Sequence, residues 1–266
     1  MTRVLSGAVL LVIAIGVVWF APALLFLIVA EALLVLACVE YGALARASGL
    51  AVPLVVSGAV AVLTCASFAR LAFGGYPRLP IDAVLLSAMV ALGSLALMRW
   101  RGGNDALASA AAALLPALYL GLPIGAMVSI RETRGREALF LLMLTVFVSD
   151  TAQYYSGRAF GRRPLAPQIS PKKTIEGAIG GFVFGAVVMV AVGAWWAPSL
   201  PVPLRALLGV TVVALGIAGD LFESMLKRSA GVKDSSALIP GHGGILDRID
   251  ALLFAAPVYY IVLSYV

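Results

Sequence analysis

Long apolar runs, separated by short polar segments, follow one another from end to end of the chain. A helix needs about 20 apolar residues to cross the hydrocarbon core of a membrane. Pro22 interrupts the first 40 residues, which would otherwise form one helix too long for a membrane. The pattern predicts an all-α polytopic integral membrane protein. The same pattern predicts about nine transmembrane helices, at roughly 4–20, 23–39, 52–72, 82–98, 106–127, 137–154, 176–197, 204–226 and 246–265.

The composition agrees with this class of protein. Hydrophobic residues make up 62% of the 266 residues and charged residues 12%. A soluble domain has about 45–50% apolar residues and about 25% charged residues. These values exclude a disordered chain, a coiled coil and an ordinary cytosolic enzyme. The first run also resembles a signal peptide, with Arg3 before it and Ala21-Pro22-Ala23 after it. Because no soluble domain follows, we expect an uncleaved first span.

The basic residues predict the orientation in the membrane. The chain has 19 lysines and arginines and a net charge of +6, and most of the basic residues lie between apolar runs rather than in a nucleic-acid-binding patch. If the chain has nine spans, 13 of the basic residues fall on the side of the N-terminus and 6 fall on the other side. The positive-inside rule therefore places the N-terminus in the cytoplasm. Two long polar loops, at about 155–175 and 227–245, lie on the same side.

We expect the chemistry in the C-terminal half of a single integral membrane domain. Residues 1–135, with about five spans, are interpreted as scaffold, and residues 136–266, with about four spans, as the catalytic half. Cys38 and Cys65 lie inside apolar runs and are interpreted as packing residues rather than a disulfide or a metal pair. Glu31 lies in the middle of the second span, where an interhelical contact is favoured over a transport or proton site.

The eighth span ends in a stripe of polar residues. Asp220, Glu223, Ser224 and Lys227 stand at positions i, i+3, i+4 and i+7, on one face of a helix. Two carboxylates, a hydroxyl and an amine on one stripe suit the joint binding of a hard cation and a phosphate. The alternative is a simple ion pair between Glu223 and Lys227 at the water interface.

A second acidic pair follows a glycine-rich loop. Asp247 and Asp250 stand at i and i+3 where a helix begins, after the three glycines of residues 241–244. Mg²⁺ prefers one or two carboxylates together with substrate phosphates and water, so Asp220 and Asp247 from two helices would suit it. His242 is the only histidine, which excludes a histidine-based zinc site. Phosphate binding, acid–base chemistry and a loop hydrogen bond remain open for it.

A basic segment precedes the seventh span. Lys172, Lys173 and Thr174 stand directly before a helix start, an arrangement that suits a triphosphate. The segment lacks the residue order of a Walker P-loop. The alternative is that these lysines contact anionic lipid headgroups. Asp150, at the end of a long apolar run, is a further candidate for the metal site.

The stretch from Ser224 to Asp250, SMLKRSAGVKDSSALIPGHGGILDRID, resembles the signature of the CDP-diacylglycerol synthase (phosphatidate cytidylyltransferase) family. It contains Ser-x-x-Lys-Arg, Lys-Asp, His-Gly-Gly and Asp-Arg-x-Asp in that order. The segment SPKKTIEGAIGG at 170–181 and the loop at Gly157-Arg158 resemble a second region of the family. The resemblance covers roughly 149–257. In addition, Ser236 stands where family members often have glycine.

The resemblance implies a reaction and a set of roles. CTP and phosphatidic acid would give CDP-diacylglycerol and pyrophosphate, with Mg²⁺, in phospholipid biosynthesis. Asp220 and Asp247 would hold the metal, and Asp250, Glu223 or Asp150 would ligate it or orient its waters. The residues expected to contact the phosphates of either substrate are Ser224, Lys227, Arg228, Arg248, Lys172, Lys173, Thr174, Arg158, Lys233 and His242.

The resemblance also implies a second, monovalent cation such as K⁺, a homodimer, membrane lipid as a partner, and a site on the cytoplasmic side of a bacterial inner membrane. One rival is a CTP-dependent lipid-alcohol kinase, which transfers the γ-phosphate and leaves CDP. Another is an ion-coupled transporter that uses Glu31 and the acidic residues of the C-terminal half. The clustering of charge beside phosphate-type loops favours the cytidylyltransferase.

Overall fold

The computed structural model describes residues 2–70, 79–102, 104–236, 238 and 243–266, with the backbone alone at 2–6 and 8–11. Helices make up most of these residues. In chain order they are α1 Thr2–Phe20, α2 Ala23–Ala47, α3 Leu54–Ala66, α4 Ile81–Arg99, α5 Ala106–Pro116, α6 Leu122–Arg134, α7 Arg136–Phe160, α8 Ile175–Trp196, α9 Val202–Ser229 and α10 Leu246–Tyr265.

Six helical segments in the described part of the chain are long and apolar enough to cross a membrane. Large apolar side chains such as Leu86, Met89 and Val90 on α4 are more than 60% exposed, which water would disfavour and lipid permits. The predicted class, an all-α polytopic membrane protein, is confirmed, whereas the count of nine spans stays a prediction. The six segments are α2, α4, α5 with α6 (Ala106–Arg134), α7, α8 and α9.

Prolines set several of the helix boundaries. Pro22, Pro53 and Pro80 each stand directly before a helix, where the missing N–H costs nothing. Pro116 instead lies inside a continuous helical segment and removes one donor from its ladder. A π-helical turn, Ala117–Gly121, follows it and joins α5 to α6.

The chain forms two compact units, which are described separately. The first contains residues 1–132 and 226–248. Within it, α2 packs against α3, and Glu31 of α2 lies beside the buried Cys65 of α3. The π-helical turn approaches α3 closely at Gly121, where a Cβ would lie 2.7 Å from the carbonyl oxygen of Ala61.

The second unit contains residues 133–225 and 249–266. Its main packing is that of α7 along α8, through a stripe of glycines at Gly177, Gly181 and Gly185. A Cβ on Gly177 would lie 2.8 Å from the carbonyl oxygen of Gln153, so the absence of side chains lets the two helices approach. The glycines of the segment SPKKTIEGAIGG therefore have a packing role.

Two short strands join α7 to α8, a local exception to the all-helical prediction. β1 Pro164–Ala166 pairs antiparallel with β2 Ser170–Thr174. Thr174 ends β2 and caps α8, because its hydroxyl oxygen accepts a hydrogen bond of 3.1 Å from the backbone N–H of Gly177. β2 thus carries the predicted basic segment to the start of a helix.

Candidate active site

In the second unit, the basic segment and the acidic stripe are brought together. The ammonium of Lys173 lies 2.5 Å from Asp220 Oδ2, and both side chains are partly exposed. Ser224 Oγ lies 3.3 Å from Asp220 Oδ1, one helical turn further along α9. A lysine, a carboxylate and a hydroxyl that the sequence predicted as functional therefore meet at one place.

Asp150 of α7 adds a third charge to this cluster. Its Oδ1 accepts a hydrogen bond of 3.0 Å from the amide of Gln153. It lies within electrostatic range of both Lys173 and Asp220. Two carboxylates and one ammonium can attract a cation, and the ammonium can also attract a phosphate.

The strand geometry separates the two neighbouring lysines of the basic segment. Successive side chains of a strand point to opposite faces. Lys173, which contacts Asp220, is partly buried, whereas Lys172 is exposed. By this alternation the two lysines lie on opposite faces of β2, and the face of Lys173 is the one that meets Asp220.

In the first unit, a second lysine–carboxylate pair is more deeply buried. Lys227 Nζ lies 2.5 Å from Asp247 Oδ1, with side-chain exposures of 10% and 7%. Asp247 Oδ2 accepts hydrogen bonds from the backbone N–H of Ser235 at 2.9 Å, from Gly244 N–H at 2.8 Å and from the Ser235 hydroxyl at 2.7 Å. The ammonium and these three donors offset the cost of burying the Asp247 carboxylate.

Gly243 and Gly244 let the backbone pass close to two carboxylates, those of Asp247 and of Glu40 on α2. Gly243 has a φ of +76°, a conformation that favours glycine. A Cβ on Gly244 would collide with the Ser235 hydroxyl and with both carboxyl oxygens of Glu40. The sequence predicted that these glycines bring the backbone close to a ligand, and in the structure they bring it close to two acidic side chains.

Glu40 is a residue that the sequence interpretation missed. It lies near the end of α2 and is 4% exposed. Its carboxylate accepts hydrogen bonds from Ser235, Ser236 and two backbone N–H groups at the start of α10. The predicted second span ended at residue 39, so Glu40 looked like a loop residue. The apolar residues that continue beyond Glu40 could have indicated a longer helix, and α2 does extend to Ala47.

The remaining predicted site residues have simpler surroundings. Arg228 donates a hydrogen bond of 2.9 Å to the carbonyl of Val232, just after α9. Glu223 is fully buried, Asp250 Oδ1 accepts from the N–H of Ala251 at 2.8 Å, and Arg158 lies 3.5 Å from the Tyr154 hydroxyl. Lys233 and Arg248 are exposed, and His242 lies outside the described residues.

No three histidine, cysteine, aspartate or glutamate residues form a metal-binding group in the part of the chain that the structure describes. Asp220 and Asp247 belong to different units. Their joint coordination of one ion therefore stays a prediction. Each of the two carboxylates has a lysine as its neighbour.

These features define a polytopic α-helical membrane protein with two carboxylate–lysine pairs. The model of the cytidylyltransferase family matches residues 1–266. The chain belongs to this family.

Several curated relatives carry the name phosphatidate cytidylyltransferase. The relative from Aquifex aeolicus is 42% identical over 127 residues, 47% of this chain and 46% of its own length. The relative from Haemophilus influenzae is 48% identical over 131 residues, which are 46% of this chain and 45% of its own length. The relative from Helicobacter pylori (strain J99) is 33% identical over 201 residues, which are 75% of this chain and 70% of its own length. The chain thus spans less than half the length of the first two relatives and more than two thirds of the third.

Proposed function

We propose that this protein is a phosphatidate cytidylyltransferase, which joins CTP to phosphatidic acid and releases pyrophosphate in phospholipid biosynthesis. The observation that carries the proposal is the pair of lysine–carboxylate contacts, Lys173 with Asp220 and Lys227 with Asp247. Relatives with this name support it. Three of the four residues, Lys173, Lys227 and Asp247, lie in the segments that resemble the family.

The reaction demands charge stabilisation and alignment more than acid–base chemistry. A phosphate oxygen of the lipid forms a bond to the α-phosphorus of CTP, while the bond to the leaving pyrophosphate breaks. The attacking phosphate is already ionised, so it needs no strong general base. Positioning and electrostatic stabilisation of the anionic groups supply most of the catalysis in phosphoryl-type transfers.

Lysines held by carboxylates suit this task. An ammonium carries three N–H donors, so Lys173 can keep its contact with Asp220 while it donates to phosphate oxygens. Lys227 is fixed in the same way by Asp247, and the low exposure of that pair strengthens its electrostatic interactions. We assign both lysines to phosphates of the substrates. The other groups assigned to the phosphates are Ser224, Arg228, Arg248, Lys172, Thr174, Arg158, Lys233 and His242.

The carboxylates fit a magnesium ion in part. Asp220 is partly exposed, and its Oδ1 lies 3.3 Å from the Ser224 hydroxyl, so it fits a cation that also binds substrate phosphates. Asp247 fits through Oδ1 alone, because three donors occupy Oδ2. When bound, Mg²⁺ would offset the charge that develops on the phosphate oxygens. We assign it to Asp220 and Asp247, with Asp150, Glu223 or Asp250 as further ligands or water-orienting groups.

The location of the site follows from its substrates. CTP is soluble and phosphatidate lies in the bilayer, so the site must open to both. We place it on the cytoplasmic side of a bacterial inner membrane, with the N-terminus in the cytoplasm. A homodimer and a monovalent cation such as K⁺ complete the proposal.

The direct test is an assay of the purified protein in detergent with CTP, phosphatidic acid and Mg²⁺. We expect a lipid product with the mass of CDP-diacylglycerol, which forms only when both substrates are present. Pyrophosphate should appear in equal amount. A folded preparation that forms no such lipid would overturn the proposal.

A further inference from the structure

We infer that Glu40 is a positioning residue that holds the loop between α9 and α10 in the geometry that the Lys227–Asp247 pair requires. The described residues of this loop, 230–236, 238 and 243–245, are called the α9–α10 loop. The inference rests on the proposed function for its kinetic consequences. Its structural consequence can be measured without any activity.

The contacts of Glu40 span between 195 and 206 residues of sequence. Oε1 accepts from the Ser236 hydroxyl at 2.7 Å and from the backbone N–H of Ile245 at 2.9 Å. Oε2 accepts from the Ser235 hydroxyl at 2.9 Å and from the N–H of Leu246 at 2.8 Å. Each oxygen therefore binds one serine hydroxyl of the loop and one N–H group where α10 begins, which fixes the distance between these two segments.

Two of these donors belong to the start of α10. The first N–H groups of a helix have no acceptor within the helix, and Leu246 is the first residue of α10. Glu40 satisfies the N–H groups of Ile245 and Leu246 from a different helix. A carboxylate at a helix N-terminus also interacts favourably with the helix dipole. Glu40 thereby fixes the start of α10, one residue before Asp247.

The Ser235 hydroxyl links Glu40 to the active-site pair. Its oxygen lies 2.9 Å from Glu40 Oε2 and 2.7 Å from Asp247 Oδ2. A hydroxyl has one proton, so it donates to only one of these carboxylates at a time. Any shift of Glu40 therefore moves a direct partner of Asp247. The lack of space for a Cβ at Gly244, between Ser235 and Glu40, shows how closely these groups pack.

The test compares Glu40→Gln with Glu31→Gln. Both variants replace a carboxylate on α2 by an amide. Glu40 contacts the α9–α10 loop, whereas the described neighbour of Glu31 is Cys65 of α3. In Glu40→Gln the new amide places an N–H group against one backbone donor, so at least one hydrogen bond is lost. We expect amide hydrogen exchange at residues 243–246 to speed up on the order of tenfold in Glu40→Gln, the effect of one lost buried hydrogen bond. Glu31→Gln should leave these amides unchanged.

The kinetic arm separates positioning from substrate binding. For Glu40→Gln we expect kcat to fall on the order of tenfold or more, with the KM for CTP nearly unchanged, since Glu40 contacts the loop rather than a substrate. Glu40→Asp keeps the charge and both oxygens, so it should recover part of the lost kcat. Equal kcat and equal exchange in Glu40→Gln and wild type would overturn the inference.

Two outcomes are kept apart by this design. If the wild-type protein transfers no cytidyl group, the proposed function fails, while hydrogen exchange still decides the role of Glu40. If Glu40→Gln does not fold, Ser235→Ala carries the test, because it removes the hydroxyl between the carboxylates without a change of charge. We then expect a lower kcat with an unchanged KM, and an unchanged kcat would contradict the inference.

Discussion

Single side chains of this protein have roles that depend on the partner they meet. Asp247 looks like a free metal ligand in the sequence, but in the structure it accepts bonds from Lys227, Ser235 and Gly244. The sequence could predict that a lysine and glycines lie near Asp247, because the signature contains them. It could not predict which residue bonds to which oxygen, since hydrogen bonds between distant residues depend on how the chain folds back. Glu40 was missed because the predicted second span ended at residue 39, whereas α2 continues to Ala47.

At this scale, we predict that Asp247→Asn lowers turnover by at least about 100-fold while the protein still folds and inserts. The substitution removes the charge that holds Lys227 and turns an amide N–H toward donors. The measurement is the initial rate of cytidyl transfer in detergent. Asp82→Asn, an exposed change at the start of α4, is the matched control. Substantial residual activity would remove Asp247 from the site.

The elements show where apolar patterning suffices for prediction and where it does not. Long runs formed helices because a membrane segment must satisfy its backbone hydrogen bonds internally. Residues 52–72 were predicted as a span, but α3 covers only Leu54–Ala66, and 71–78 lie outside the described residues. The strands β1 and β2 were missed, because three and five residues carry little periodicity.

One prediction concerns the alternation along β2. Lys172→Ala should raise the KM for CTP more than that for phosphatidic acid, because Lys172 is exposed and has been assigned to the triphosphate. Lys173→Ala should instead lower kcat, since it removes the partner of Asp220. Steady-state kinetics with each substrate varied in turn measures both effects. An unchanged CTP dependence in Lys172→Ala would leave that lysine as a lipid or topology residue.

A second prediction concerns the packing of α7 along α8. Gly177→Ala should lower Tm in detergent by several degrees, because its Cβ would press on the backbone of Gln153, and overpacking costs about 1–3 kcal/mol. Gly93→Ala on α4 is the matched control, since its Cβ would meet nothing within 4 Å. Equal Tm values for the two variants would show that α7 and α8 do not need the close approach.

At the scale of the whole molecule, the composition, the apolar runs and one signature predicted the class of membrane protein and the family. The apolar helices and the family match confirm both. The orientation in the membrane is a different matter, because it depends on which side each loop occupies. That residues 1–135 are scaffold stays a prediction, and Glu40 of α2, within these residues, contacts Ile245 and Leu246. An N-terminal helix thus contributes to the geometry of the α9–α10 loop, which carries part of the signature.

The orientation predicts the labelling of single cysteines in a background without Cys38 and Cys65. Gln168→Cys, between β1 and β2, should be protected from a membrane-impermeant maleimide in intact cells. Ser199→Cys, between α8 and α9, should be labelled. Both positions are exposed in the structure, so access differs only through the membrane. The reverse pattern would contradict a cytoplasmic N-terminus.

The central claim is cytidyl transfer to a lipid phosphate at the carboxylate–lysine pairs. The most direct measurement uses two parallel reactions of the purified protein with phosphatidic acid and Mg²⁺, one with CTP labelled at the α-phosphate and one labelled at the γ-phosphate. We predict α-label in the lipid, γ-label in released pyrophosphate, and neither product with Asp220→Asn. Label from the γ-phosphate in the lipid would instead identify a kinase, and undiminished transfer by the variant would remove Asp220 from the chemistry.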